Sequence, residues 1–200
     1  MTDTATGRKH GQHTEARIPL VGPDGLTPEQ QRIYDMVLSG PRRRIQGPLR
    51  AALHRPEIAE PWHKLGEVLR YRTSFPLKLS ELAILVTAER MKSGFEWYAH
   101  LNIALDAGLP AEIAEDIRNG RVPATDDAEI LDIHRFCFEL HSSRQVSDEA
   151  YDRVLRRWGM IGTVELTSLI GYYTMVAMTL NAHRFPLPDG SDVDAVFPPS

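Results

Sequence analysis

Glu81, Glu96 and His100 are the residues whose types and spacing point to chemistry in this chain. They lie in the stretch LSELAILVTAERMKSGFEWYAHLNIALDAG, residues 79–108, which otherwise repeats Leu, Ile and Ala at helical spacing. At about 100° per residue, Glu96 and His100 fall one turn apart on a helix over residues 95–107. They border an apolar stripe of Trp97, Leu101, Ala104 and Gly108, with Asn102 and Asp106 pointing away. An imidazole on such a seam is partly desolvated, titrates near neutral pH and can serve as acid or base.

Glu81 falls near the start of the preceding helix, over residues 79–91. The short KSG connection folds the two helices antiparallel and brings that carboxylate toward the imidazole. A Glu–His pair fixes the tautomer of the ring and raises its basicity. The plainer reading of the same spacing makes Glu81 a cap at the positive end of its own helix and His100 a satisfied boundary residue. Spacing alone leaves both open.

The stretch LSELAILVTAERMKSGFEWYAHLNIALDAGL resembles the carboxymuconolactone decarboxylase family, which also includes the AhpD-type alkylhydroperoxidases. The shared pattern is a Glu near the start of one helix, a short turn, an aromatic-rich EWxxH segment and a following A-x-x-A-G-L. The likeness extends to GPRRRIQGPLRAALHRPEIAE before it and LTSLIGYYTMVAMTLNAH after it, so it covers most of residues 18–188. It implies an all-α, AhpD-like domain assembled as a homo-oligomer (dimer, trimer or hexamer). Its active site would lie near Glu81 and His100, close to subunit contacts.

The peroxidase branch places C-x-x-C ahead of that His, and the matching positions here are Ser93 and Glu96. Neither is a thiol, and Cys137 belongs to another segment, so the likeness is to the branch without the CxxC motif. Peroxide reduction through a CxxC disulfide is excluded, because the thiolate is the reagent. What the resemblance implies instead is a cofactor-independent, acid–base enzyme resembling carboxymuconolactone decarboxylase. It would lose CO₂ from a small carboxylated or lactone-like metabolite while sheltering an enolate-like charge. His100 would move the proton, Glu81 would orient it, and Glu96 would be a second carboxylate or a structural hydrogen-bonding group. Two rivals stand beside it: a thiol-independent oxidoreductase of the same superfamily, and a non-catalytic oligomer that binds a ligand.

Other residues would complete such a site. Trp97 would supply an apolar wall, with Tyr98 outside the pocket, and Tyr172 of a late helix would line it from the other side. The basic run Arg42-Arg43-Arg44, bracketed by Gly-Pro pairs, is a candidate anion clamp with Arg44 as its substrate contact. Its plain reading is a solvated loop. His134, Cys137 and His141, at i, i+3 and i+7, are ligand types for zinc. Ligands strung over two turns of one straight helix rarely converge on one ion, and polar groups buried at a helix interface explain them equally. No metal site is assigned.

The elements that must position these residues are helical throughout. TPEQQRIYDMVLSG carries a Thr27 cap, Pro28 and a Gln30 capping box. PEIAEPWHKLGEVLRYR repeats Ile58, Trp62, Leu65, Val68 and Leu69 at helical spacing. LPAEIAEDIRNG, DDAEILDIHRFCFELHSSR, SDEAYDRVLRRWG and GTVELTSLIGYYTMVAMTLNAH read as four more helices, and no alternating strand pattern occurs. The 200 residues fit one domain. A disordered arm over 1–16, a helical domain over 17–188 and a Pro-rich tail over 189–200 are expected. A net charge of −4 excludes the electrostatic footprint of a nucleic-acid partner. One cysteine rules out an internal disulfide, and no apolar run suits a membrane span. With no secretory signal in MTDTATGRKHGQHTEAR, a cytoplasmic location is expected.

Overall fold

Thr27 and Gln30 start the first helix as their types suggest. Gln30 N donates to Thr27 Oγ1 at 3.3 Å, and Thr27 N donates to Gln30 Oε1 at 3.0 Å, with Pro28 just inside. The computed structural model describes residues 15–197, so the expected disordered arm lies almost wholly outside the described residues. Along them run α1 (Pro28–Ser39), α2 (Leu49–Ala52), α3 (Pro56–Tyr71) and α4 (Leu77–Arg90). Then come α5 (Gly94–Asp106), α6 (Ala111–Arg118), α7 (Ala128–Ser143) and α8 (Asp148–His183), with a 3₁₀ turn at Val193–Ala195. Among the described residues there is no strand. The protein is all-α.

α4 is the centre. Its residues are buried without interruption from Leu79 to Glu89, and α5, α6, α7 and α8 all pack on it. A helix covered on every side needs no polar stripe, which is why residues 79–91 are so evenly apolar. Each of its buried Leu and Ile side chains contributes about 1.5–3 kcal/mol. Against that background, a buried carboxylate at Glu81 needs a partner.

The α4–α5 connection turns through Lys92, whose φ is +49°, and α5 runs back antiparallel along α4. Gly94 opens α5 where no side chain fits, because the Val193 carbonyl of the returning tail occupies the place of its Cβ. The tail drapes over the surface and is anchored there. The Phe197 ring meets Trp97 edge-on at 5.4 Å, and the Lys92 ammonium lies 5.3 Å from the centre of the Phe197 ring.

α8 is two helical segments meeting at a kink, as the sequence suggests, with helical geometry broken at Gly159 (φ +67°, ψ −172°). One expectation changes. On α3 the periodic apolar residues do not share the covered face: Ile58, Leu65 and Val68 are exposed. The covered face is Ala59, Trp62, His63, Gly66 and Leu69. It is notched at Gly66, where it receives Tyr172: a Cβ on Gly66 would collide with the Tyr172 hydroxyl. No helix among the described residues is long and apolar enough to cross a membrane.

Candidate active site

Glu81 sits one turn into α4 and His100 halfway along α5, so the antiparallel hairpin brings them face to face. His100 Nδ1 donates to Glu81 Oε2 at 2.6 Å, and His100 Nε2 lies 3.1 Å from Glu96 Oε1, one turn away on α5. All three side chains are buried, at 2–4% exposure. Burial alone would lower the imidazole, but the Glu81 charge and hydrogen bond, joined by Glu96, hold it up at about 9. At neutral pH the ring is therefore a cation donating from both nitrogens. It has no lone pair with which to accept a proton.

The aromatic wall of this cluster comes from α8. Tyr173 meets the His100 ring edge-on at 5.1 Å, and Tyr172 meets Tyr173 at 5.3 Å. Burial pushes the Tyr173 hydroxyl well above its usual range, so it is a donor at any physiological pH. Tyr172 is pushed up by burial as well. Its hydroxyl lies over Gly66, in the hollow that Arg42 Nη2 also approaches.

These groups line a small cavity of about 50 Å³ bordered by Glu96, His100, Tyr172, Tyr173, Arg42 and Arg70. Glu81 stands behind His100 and does not reach it. Gln46, Gly47, Phe95 and Ala99 form a partition, because they also line an outer cleft of about 700 Å³. Gly47, at φ +57°, turns the loop there with its Cα close to the Phe95 ring. The site thus has two chambers: a small polar inner one and a larger outer one.

The sequence-predicted residues fall on both sides of this division. Glu96, His100 and Tyr172 line the inner cavity, with Glu81 directly behind. Arg44 faces the outer cleft, and Trp97 lines a separate hollow with Leu101, Leu105 and Ala114. Tyr98, expected outside the pocket, stands between that hollow and the outer cleft. Of the basic run Arg42-Arg43-Arg44 it is Arg42, and not Arg44, that reaches the inner cavity; Tyr173 lines it beside Tyr172, and Arg70 is the inner residue that sequence reasoning missed. Arg70 had a signal: it continues the i, i+4 row of Trp62 and Gly66 on the covered face of α3.

Cys137 is fully buried in α7, and burial pushes its thiol up, so it is an inert core group. His141 Nε2 pairs with Thr87 Oγ1 at 3.1 Å, while the His134 ring stacks on Phe138. Among the described residues no group of three ligand side chains converges on a metal position. Ser93, at the N-cap of α5, is buried and makes no capping hydrogen bond.

No protein-family model matches the chain, and no curated protein does. Solved structures do. A peroxidase-related protein from Silicibacter sp. TM1040 superposes with a TM-score of 0.69 at 16% identity, over 90% of this chain and 94% of that one. The alkylhydroperoxidase AhpD core of a peroxidase-related protein from Ralstonia eutropha JMP134 gives 0.67 at 14% identity, over 92% and 96%. The fold is AhpD-like. The debrominase Bmp8, in complex with 2,3,4-tribromopyrrole, shares the fold at a TM-score of 0.68 and 12% identity, over 91% and 97%. In this AhpD-like chain the covered hairpin of α4 and α5 carries carboxylates and imidazole, with no thiol beside them.

Proposed function

We propose that this protein is a cofactor-independent acid–base enzyme of the carboxymuconolactone decarboxylase kind. Its substrate would be a small carboxylated or lactone-like metabolite. The observation that carries this reading is the buried row Glu81–His100–Glu96, ending on a small cavity. Such a row stores one proton between two carboxylates and exposes one member, Glu96, to whatever occupies the cavity.

The roles follow from the protonation state. Glu96 is the group that meets the substrate, since it has free lone pairs and borders the cavity. His100 is its charged partner, and Glu81 holds the ring by Nδ1. In decarboxylation the bond between carbon and carboxylate breaks, CO₂ leaves and the electron pair remains as an enolate. The cation at His100, itself buried, stabilises that charge as it develops. The proton that completes the product passes from Nε2 through Glu96 to carbon, and solvent later restores it to the ring. Run in reverse, the same row abstracts a proton.

The peroxidase-related neighbours suggest a redox role for the fold, which supports the thiol-independent oxidoreductase as the second reading. A disulfide mechanism has no reagent here, because Ser93 and Glu96 stand where that branch has cysteines and Cys137 is sealed in the core. The test is CO₂ release from γ-carboxymuconolactone and a panel of β-keto and lactone acids, with folded His100→Gln as the comparison. Turnover by wild type that the variant loses supports decarboxylation. Folded wild type that releases nothing from any of them removes it and leaves the redox and ligand-binding readings.

A further inference from the structure

Arg42 and Arg70 enter the inner cavity from different elements, the loop after α1 and the end of α3. Among the described residues, no carboxylate oxygen lies within 4.0 Å of either guanidinium; the nearby Glu81 and Glu96 spend their short contacts on His100. Counting His100, the cluster holds three cations against two carboxylates, so one positive charge is left over. His63 and Glu67, 3.7 Å apart beside Arg42, do not alter that balance: burial, then the Arg42 charge, lower the His63 pKa more than Glu67 raises it, and Glu67 is paired with Arg72.

The hydrogen-bonding inventory points the same way. Among the described residues, the buried side-chain polar atoms without a partner are Arg42 Nε, His63 Nδ1, Ser93 Oγ and the Tyr173 hydroxyl. Two of these residues, Arg42 and Tyr173, line the inner cavity, and Tyr173 is only 2% exposed. Buried donors left unpaired are costly, and where several border one small cavity they mark the place of an acceptor. At the cavity the unmatched groups are the Arg42 Nε donor, which is charged, and the Tyr173 hydroxyl, which is neutral and can donate.

From this juxtaposition we infer that the inner cavity seats the carboxylate head of the substrate between Arg42, Arg70 and the Tyr173 hydroxyl, with the rest of the molecule in the outer cleft. The volumes fit: about 50 Å³ holds a head group of a few heavy atoms, while about 700 Å³ holds a small metabolite body. The inference rests on the acid–base reading only for its second consequence. Because Glu96 and His100 border the same cavity, the carbon bearing the head comes beside the group that moves the proton.

Formate and acetate are small enough to enter the inner cavity alone, and succinate and benzoate extend into the cleft. Isothermal titration of wild type at neutral pH should show heat with this panel. Acetamide, succinamide and benzamide should bind at least about tenfold more weakly, as expected when a charge-assisted hydrogen bond is lost. Folded Arg42→Gln and Arg70→Gln should each lower carboxylate affinity by about tenfold or more. Exposed Arg156→Gln on α8 should match wild type.

Tyr173→Phe separates binding from architecture. It removes a hydroxyl that has no partner in the free protein, so it should leave the melting temperature equal or higher while weakening carboxylates several-fold. The inference is overturned if amides bind as tightly as acids, if no carboxylate of the panel binds, or if both arginine variants bind like wild type. Its failure differs from that of the acid–base reading. Glu96→Gln that turns over normally, in a protein that still binds carboxylates through Arg42 and Arg70, sinks the acid–base reading and leaves the clamp. Loss of turnover in Glu96→Gln, with acids and amides bound alike, does the reverse.

Discussion

Two clusters of buried titratable groups pack against α4, and they behave in opposite ways. On the α5 side, His100 lies between Glu81 and Glu96 and its pKa rises to about 9. On the α7 side, burial lowers His134 and His141; Arg90 and Arg144 lower His141 further, and Glu89 only partly offsets the shift in each. Both clusters are helix-interface histidines: His100 and His134 are buried to a similar degree, and His141 is half-buried. The difference is the pairing: carboxylates in hydrogen-bond contact outweigh desolvation, and a carboxylate further off does not. The paired cluster also borders the inner cavity. Charge compensation and a vacant neighbour together separate a site from a well-packed core histidine.

The largest way to break this comparison is to remove the member that meets the cavity. Glu96→Gln should lower kcat by about 10²–10⁴-fold on any substrate the enzyme turns over, the usual contribution of a positioned acid–base group. Steady-state kinetics on a variant with an unchanged circular dichroism spectrum would measure it. An effect confined to KM would make Glu96 a binding group.

Glu81→Gln strikes behind the cavity. It leaves His100 with one carboxylate in a fully buried position, and breaking one side of a buried ion pair costs about 3–5 kcal/mol. Urea unfolding should show that loss, and the His100 pKa should fall, which proton NMR of the ring would follow. A variant as stable as wild type would mean that the pair contributes nothing to the fold.

Opposite shifts also sharpen the comparison through pH. His100 titrates higher in the folded protein than its ordinary value of about 6.5, so folding favours its proton. That stability is complete below about pH 6.5 and is lost as pH rises through about 9. His134 and His141 titrate lower when folded, so their contribution is complete above about pH 6.5 and is lost as pH falls through their folded values. Urea midpoints across pH should therefore fall on both sides of neutrality. His100→Gln should flatten the alkaline limb and leave the acid one; His134→Phe should flatten part of the acid limb and leave the alkaline one.

Much of the hairpin was legible in the sequence, because period and capping report on local structure. Thr27 with Gln30, the apolar run at 79–91 and the Glu96–His100 spacing all read through to the fold. Periodicity shows which residues share a face, and says nothing of which face is covered. That is why the α3 pattern of Ile58, Trp62, Leu65, Val68 and Leu69 mixes faces: Trp62 and Leu69 are covered together with His63 and Gly66, and Ile58, Leu65 and Val68 are exposed. Three consecutive arginines, 42–44, look alike in sequence; a positive φ at Arg43 and the Tyr172 hydroxyl over Gly66 decide that Arg42 turns inward and Arg44 outward. His100 read as an acid or base oriented by Glu81, because spacing cannot reveal that both ring nitrogens are engaged.

A smaller effect is expected at the notch that holds the clamp. Gly66→Ala gains helix propensity of up to about 1 kcal/mol but places its Cβ where the Tyr172 hydroxyl lies. Overpacking of that kind costs about 1–3 kcal/mol, so a modest net destabilisation is expected, with Tyr172 displaced toward Arg42. A melting temperature above that of wild type would show that Tyr172 yields freely.

Cys137→Ala should do least of all. The thiol is enclosed in α7, raised out of its reactive range by burial and absent from the lining of the inner cavity. Removing the sulfur leaves a void of roughly one heavy atom and a stability loss of about 1 kcal/mol. Steady-state turnover, and any peroxide consumption in the presence of a thiol reductant, should match wild type. If peroxide consumption disappeared in the folded variant, a group sealed on the α7 side would be doing the chemistry. The contrast between the two clusters would then be reversed.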